Sequence, residues 1–286
     1  MVPKNVLRQY EIGTVVRVKA VTAGLIHKTF EVHTRQKKYI IQRLHPLLSS
    51  AKVGKDFFAV TTHLQAQGFP SPIGVFTKKR EVHAQGGGHA WRLQTKLPGK
   101  TVDRINDAHT ARQAGEIYAR FHHAVDSIQH EFQSPLTLHQ TKKVYDTFLA
   151  TIKKFAYDPL MEPVRPQVDF IRHHLPKHFL PASLPKRVIH GDPKISNILF
   201  VGQAARAVID LDTCSRNTVL VELGDAFRSW CGKQEDDSHN IFSVPLFRAA
   251  WSGYKEGANG FLTKREIALV PKAIGTITLE LATRFL

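Results

Sequence analysis

The sequence predicts an α+β chain of two lobes: a small antiparallel β-rich lobe over residues 1–97 and a larger, mainly helical lobe over residues 98–286. Three observations lead there. Before residue 98 apolar and polar side chains alternate in short runs broken by turn residues, the period of half-buried strands. After Leu97-Pro98-Gly99 the apolar residues recur at steps of three and four, the period of helices. The chain has 286 residues, 42% hydrophobic and 22% charged, which suits roughly two globular domains and excludes both a disordered chain and a small stapled scaffold.

The elements follow in order. Thr14 to Val21 reads as a strand and Thr22-Ala23-Gly24 as a turn; Leu25 to Thr34 and Tyr39 to Leu44 continue an antiparallel meander across Arg35-Gln36-Lys37. Val53, Phe57, Val60 and Leu64 predict a helix over 52–67, stopped by Gly68 and Pro70. Strands resume at Ile73 to Thr77, Glu81 to Gln85 and His89 to Thr95, with Gly86-Gly87-Gly88 making the last turn; the coarse count is five strands with one helix. Ala114, Ile117, Tyr118, Phe121 and Val125 predict a helix over 107–125. Further helices are expected at 137–156, 166–175, 220–231, 244–258 and 263–286. One strand-like island interrupts them, at Arg187 to His190, Ile198 to Val201 and Arg206 to Asp210, read as carrying one short hairpin.

Composition narrows the function. Lys and Arg number 40 against 24 Asp and Glu, a net charge of +16, and residues 1–98 hold 16 basic against 4 acidic side chains. A basic first third attracts a polyanion: nucleic acid, a membrane surface or a nucleotide triphosphate. Cys214 and Cys231 are too few for a disulfide framework. Residues 1–30 lack a signal-peptide pattern, and no run of about 18 apolar residues appears. A cytoplasmic protein without a membrane partner is expected.

The chemistry-bearing residues cluster in the island: His190, Asp192, Lys194 and Asn197 after one apolar run, Asp210 and Asp212 after another. Pro193 biases Asp192 toward extended backbone. Phosphoryl transfer needs oxygen ligands for Mg²⁺, a cation on the phosphates and a carboxylate for the nucleophile's proton. Asn197 and Asp210 offer the first, Lys194 the second and Asp192 the third. Paired histidines at 122–123 and 173–174 lack zinc-site spacing, and Ser196 and Ser252 lack a nucleophile-elbow context.

His190-x-Asp192-x-Lys194-x-x-Asn197, with Asp210 thirteen residues later, resembles the catalytic loop and metal-binding Asp of the protein-kinase-like superfamily, and within it the aminoglycoside phosphotransferase family. Ile209 to Thr213 and Leu223 to Arg228 are similar to the N-acetylhexosamine 1-kinase branch, as are Gly24 to Phe30, Tyr39 to Leu44, Trp91 to Leu93 and Ala114 to His122. The resemblance implies ATP in a cleft between the lobes, the first being nucleotide-binding. Asp192 is then the base or hydroxyl-orienting group, Lys194 a γ-phosphate contact, and Asn197 and Asp210 the Mg²⁺ ligands. The turn carrying Gly24, His27, Lys28 and Thr29 would cover the phosphates. The connector Gln94, Thr95 and Leu97 would meet adenine through backbone groups.

Relatives often pair a Lys on the third strand with a Glu on the next helix. Here that strand ends Gln42-Arg43 and the helix holds only Asp56 as an acid; alternation alone does not settle which of the two faces the cleft, and Arg43 is the expected substitute. Asp212, Asp225 and Arg228 are candidates for the acceptor or for capping and salt bridges. Relatives in this branch continue past the position of Leu286, so a C-terminally short version is expected. The expected reaction is ATP- and Mg²⁺-dependent phosphorylation of a small-molecule hydroxyl, with an N-acetylhexosamine first. The alternatives are an aminoglycoside or amino-alcohol phosphotransferase, and a catalytically weak nucleotide- or nucleic-acid-binding protein on the same scaffold; nucleic acid is not the favoured partner. Oligomeric state and acceptor identity stay open.

Overall fold

A computed structural model describes residues 1–286 except 22–25, 135–137 and 233–239. It opens with a short helix, α1 (Lys4–Leu7), followed by β1 (Val15–Val21), β2 (Lys28–Thr34) and β3 (Lys38–Arg43). Helix α2 (Ala51–Ala66) starts where the Ser50 hydroxyl accepts the Val53 N–H, and it buries Val53, Phe57, Val60 and Leu64. β4 (Gly74–Val75), β5 (Ala84–Gly86) and β6 (His89–Thr95) complete an antiparallel sheet in the order β1-β2-β3-β6-β4, with β5 on the other stretch of β6. The sheet thus has six strands, one from each of the six stretches read as strands, so the coarse count of five falls one short; β4 and β5 share β6 as partner. The turn expected at Thr22-Ala23-Gly24 lies outside the described residues.

Alternation gives the sheet two unlike faces. Val32, Ile41, Trp91 and Leu93 pack with Val2, Val6, Tyr10 and Ile12, so the N-terminal segment covers one face. Gln42, Arg92 and Gln94 are left on the other.

The helical part comprises α3 (Ala108–Asp126), α4 (Thr141–Lys154), α5 (Met161–His178), α6 (Val219–Trp230), α7 (Val244–Ala258) and α8 (Lys264–Phe285). Asp107 caps α3 by accepting the Thr110 N–H at 2.8 Å, and Thr263 with Glu266 forms a capping box at the start of α8. α5 begins five residues before its predicted start, since Pro163 stands in its first turn, where a missing N–H costs nothing. One core joins α2, α3 and α6–α8.

β7 (Arg187–Ile189), β8 (Ile198–Val201) and β9 (Ala204–Val208) match the strand-like island, but only β8 and β9 form a hairpin. β7 pairs instead with an unanticipated strand, β10 (Ser215–Asn217). The strand expected to reach Asp210 stops at Val208, because Asp210 takes φ 66° and turns the chain out of the sheet. Cys214 and Cys231 are free and buried. Among the described residues no helix is long and apolar enough to cross a membrane.

Candidate active site

The loop after β7 is built by His190. Its Nε2–H donates to the Ile209 carbonyl at 2.8 Å, which leaves Nδ1 to accept the Asp192 N–H at 3.3 Å. Gly191 between them has φ 87°, and Glu222 on α6 accepts its N–H at 2.6 Å. Asn197 closes the loop: its Nδ2 donates to the Asp192 carbonyl at 2.9 Å, and its own carbonyl accepts the Ile209 N–H at 2.9 Å. Asp192, Asn197 and Asp210 therefore stand on one hydrogen-bonded rim. Lys194, half exposed, places Nζ 3.2 Å from the Asp192 carboxylate.

Asp210 and Asp212 behave differently although two residues apart. Burial, then the charge of Asp212, pushes the Asp210 carboxyl up, only partly offset by His27, His190 and Arg92. Burial works the same way on Asp212, but the Arg92 charge and hydrogen bonds from His27 and Arg92 outweigh it and hold that carboxyl well below the usual range. Both Asp212 oxygens are taken. Arg92 grips them in a two-pronged pair, Nη2 to Oδ2 at 2.8 Å, and His27 Nε2 meets Oδ2 at 3.0 Å. His27 Nδ1 accepts the His45 N–H at 3.1 Å, so Nε2 carries the hydrogen.

Ligand atoms of His27, Asp210 and Asp212 lie within 4.8 Å of one another. His27 and Asp212 are engaged with each other and Asp212 with Arg92, which leaves Asp210 as the carboxylate available to a cation. Asn197, with its amide oxygen, is the adjoining hard donor.

Several sequence-based expectations change here. Asp212 does not face an acceptor, because both its oxygens are bonded in the interior. His27 is turned inward onto Asp212 rather than toward a phosphate. Arg43 is opposite Trp91 and shares the face of Ile41, so the expected substitution for the strand Lys fails; its neighbour Gln42 faces inward, and Gln42 Oε1 accepts from Arg92 Nη2 at 2.8 Å. Asp56 turns away to accept the Gln133 and Ser134 N–H groups and to meet His130.

The remaining candidates are placed as follows. Lys28 is exposed and Thr29 half-buried at the start of β2, while Gly24 lies outside the described residues. Gln94 is buried, and the Thr95 N–H is spent on the Ile73 carbonyl, so Leu97 begins the part of the connector that the sheet does not use. Asp225 pairs with Arg228 at 2.7 Å and approaches His139 at 3.6 Å. Two cavities, of about 570 and 970 Å³, open elsewhere, between α4 and α8 and on the covered face of the sheet.

Sequence reasoning missed Arg92 and Glu222 as site residues. Each is a lone charge inside an apolar run, Trp91-Arg92-Leu93 and Val221-Glu222-Leu223, which is the signal that marks a buried, partnered ion.

Comparison with known proteins bears on the family and the fold. The model of a phosphotransferase enzyme family matches residues 17–255. Homoserine kinase of Agrobacterium fabrum is 24% identical over 88% of this chain and 74% of its own length, and that of Rhodopseudomonas palustris is 26% identical over 88% and 73%. An amicoumacin kinase solved with AMP-PNP, Ca²⁺ and Ami superposes with a TM-score of 0.68 at 14% identity, covering 97% of this chain and 83% of that one. A microcompartment-associated aminopropanol kinase gives 0.67 at 14% identity, covering 97% and 86%. These likenesses show the two-lobed kinase-like α+β fold.

Proposed function

Because the chain belongs to the phosphotransferase enzyme family, we propose that it transfers the γ-phosphoryl group of ATP, with Mg²⁺, to the hydroxyl of a small amino alcohol or hydroxy amino acid. The observation that carries this reading is the shared rim of Asp192, Asn197 and Asp210, tied together through Ile209 and His190. Asn197 and Asp210 supply the hard oxygen donors that Mg²⁺ prefers, and among the described residues no cation is bonded to the Asp210 carboxylate. Bound MgATP supplies the phosphoryl group and neutralises charge on its oxygens.

The chain's residues do the rest. Asp192 orients the acceptor hydroxyl and takes its proton, and Lys194, which lies beside that carboxylate, meets the transferred group. His190 and Glu222 hold the loop so that Asp192 does not have to be reorganised at the moment of reaction. Thr29 stands on the inner face of β2 toward the phosphates, and the Leu97 backbone is offered to the base.

The acceptor class rests on two arguments. The matched relatives named above carry the name homoserine kinase. A net charge of +16 disfavours a polycationic antibiotic and, within the proposed class, favours the hydroxy amino acid, which bears a carboxylate, over the amino alcohol, which does not. N-acetylhexosamines are the second acceptor class, on the segments similar to that branch. A coupled ADP-release screen over homoserine, amino alcohols, N-acetylhexosamines and aminoglycosides tests the reading. Homoserine or an amino alcohol should give the highest turnover; no ADP release above hydrolysis with any acceptor would overturn it.

A further inference from the structure

Asp212 belongs to the helical lobe, yet among the described residues every group that bonds its carboxylate comes from the sheet lobe. We propose that Arg92 and His27 are positioning residues: by gripping Asp212 across the lobes, they set the turn that presents Asp210 to the nucleotide-bound cation. This rests on the reading of Asp210 given above.

The turn needs such a grip. Asp210 has φ 66°, a region that a residue with a side chain keeps only where its surroundings enforce it. Its flanks are held within the helical lobe: the Ile209 N–H by the Asn197 carbonyl, the Ile209 carbonyl by His190, and the Thr213 hydroxyl on the His190 carbonyl. Between those flanks, Asp212 is the side chain whose bonds cross to the other lobe.

The two gripping residues are themselves held by further contacts. Arg92 is 1% exposed, donates to Gln42 and lies with its guanidinium carbon 3.8 Å from the centre of the Phe57 ring. His27 is fixed by the His45 N–H. A buried ion pair of this kind is a poor source of stability, since apolar groups of like volume commonly do as well. Its distinctive product is geometry: a planar fork matches a carboxylate in one orientation, which a lysine cannot do. The chain thereby links its two lobes through the segment that carries Asp210, with Asp56 committed to the 133–134 backbone instead.

The test uses the full chain and three variants. Arg92→Gln combined with Asp212→Asn removes both charges, leaving no unpaired ion in the interior; Arg92→Lys keeps the charge without the fork; Asp210→Asn removes the ligand. Mn²⁺ binding in the presence of ADP, followed by water-proton relaxation, and amide hydrogen exchange over residues 209–213 read the turn without turnover. The double variant should bind Mn²⁺ with ADP about tenfold more weakly, as when a group orienting a metal ligand is lost. It should exchange faster over 209–213 and keep its affinity for ADP alone, with Arg92→Lys intermediate. A folded double variant with wild-type Mn²⁺ affinity and exchange would overturn the proposal, as would an Arg92→Lys protein matching wild type in both. Unchanged Mn²⁺ affinity in Asp210→Asn would instead refute the role of Asp210, a separate failure.

Discussion

Glu222 joins two distant parts of the helical lobe, accepting the Gly191 N–H at 2.6 Å with one oxygen and meeting His122 Nε2 at 2.7 Å with the other. Burial opposes its charge, but the hydrogen bond and charge of His122 outweigh burial and lower its pKa. Replacing it by Gln removes a charge-assisted bond from the interior. Glu222→Gln should cost about 2–4 kcal/mol in urea-induced unfolding. Its turnover should fall more than its nucleotide affinity, because the loop bearing Asp192 loosens; an unfolding midpoint like that of wild type would count against this account.

Gly191 itself is under a double constraint. Its φ of 87° disfavours any side chain, and a Cβ there would come within 2.5 Å of the Thr213 carbonyl. Gly191→Ala should destabilise by about 1–3 kcal/mol through backbone strain and should abolish most turnover, read by thermal unfolding and ADP release.

Asp192 and Asp210 should separate by kinetics. Asp192→Ala should lose several orders of magnitude in turnover while ATP affinity stays nearly intact, and Asp210→Ala should lose Mg²⁺-dependent nucleotide binding. Equilibrium dialysis with labelled ATP, with and without Mg²⁺, distinguishes the two; equal turnover in wild type and Asp192→Ala would refute the assigned chemistry.

His139 gives a pH signature. Burial alone would lower its pKa, but the carboxylates of Asp225, at 3.6 Å, and Glu280, hydrogen-bonded at 3.2 Å, raise it to about 9. A raised pKa means the protonated form is favoured in the folded chain, so the stabilisation is complete below about 6.5 and is lost as pH rises through about 9. The loss is on the order of 3 kcal/mol. Urea midpoints measured from pH 6 to 10 should fall over that window, and His139→Asn, which tolerates the left-handed backbone at this position, should flatten the fall.

The packing of α3 on α7 depends on a close backbone approach. A Cβ on Gly115 would run into the Ala250 carbonyl, and one on Gly253 into the Arg112 carbonyl. Gly115→Val should therefore cost about 2 kcal/mol or more by forcing the helices apart, with a matching drop in melting temperature. A neutral effect would show that the pair can separate freely.

Much of the fold was legible along the chain. Ser50, Asp107 and Thr263 cap the helices that begin beside them, and the stripe from Ala114 to Val125 turns inward on α3. The spacing of Asp192, Asn197 and Asp210 was equally plain, since one polar cluster fills the link from β7 to β8 and the other follows β9.

Local spacing could not reveal partners far apart in sequence. Two residues as close as Gln42 and Arg43 differ in face, and only the register with β6 and the N-terminal cover of the sheet assigns Arg43 to the outer one. β7 finds β10 across a loop, and Arg92 finds Asp212 across 120 positions, because chain folding and not composition brings them together. Short-range periodicity and capping thus wrote the helices, the strands and the polar pattern of the loop around Asp192 into the order of residues. Which of Asp210 and Asp212 is neutralised internally by Arg92 and His27, and which is not, came from three-dimensional packing, since a carboxylate's charge state depends on the neighbours and burial that packing supplies.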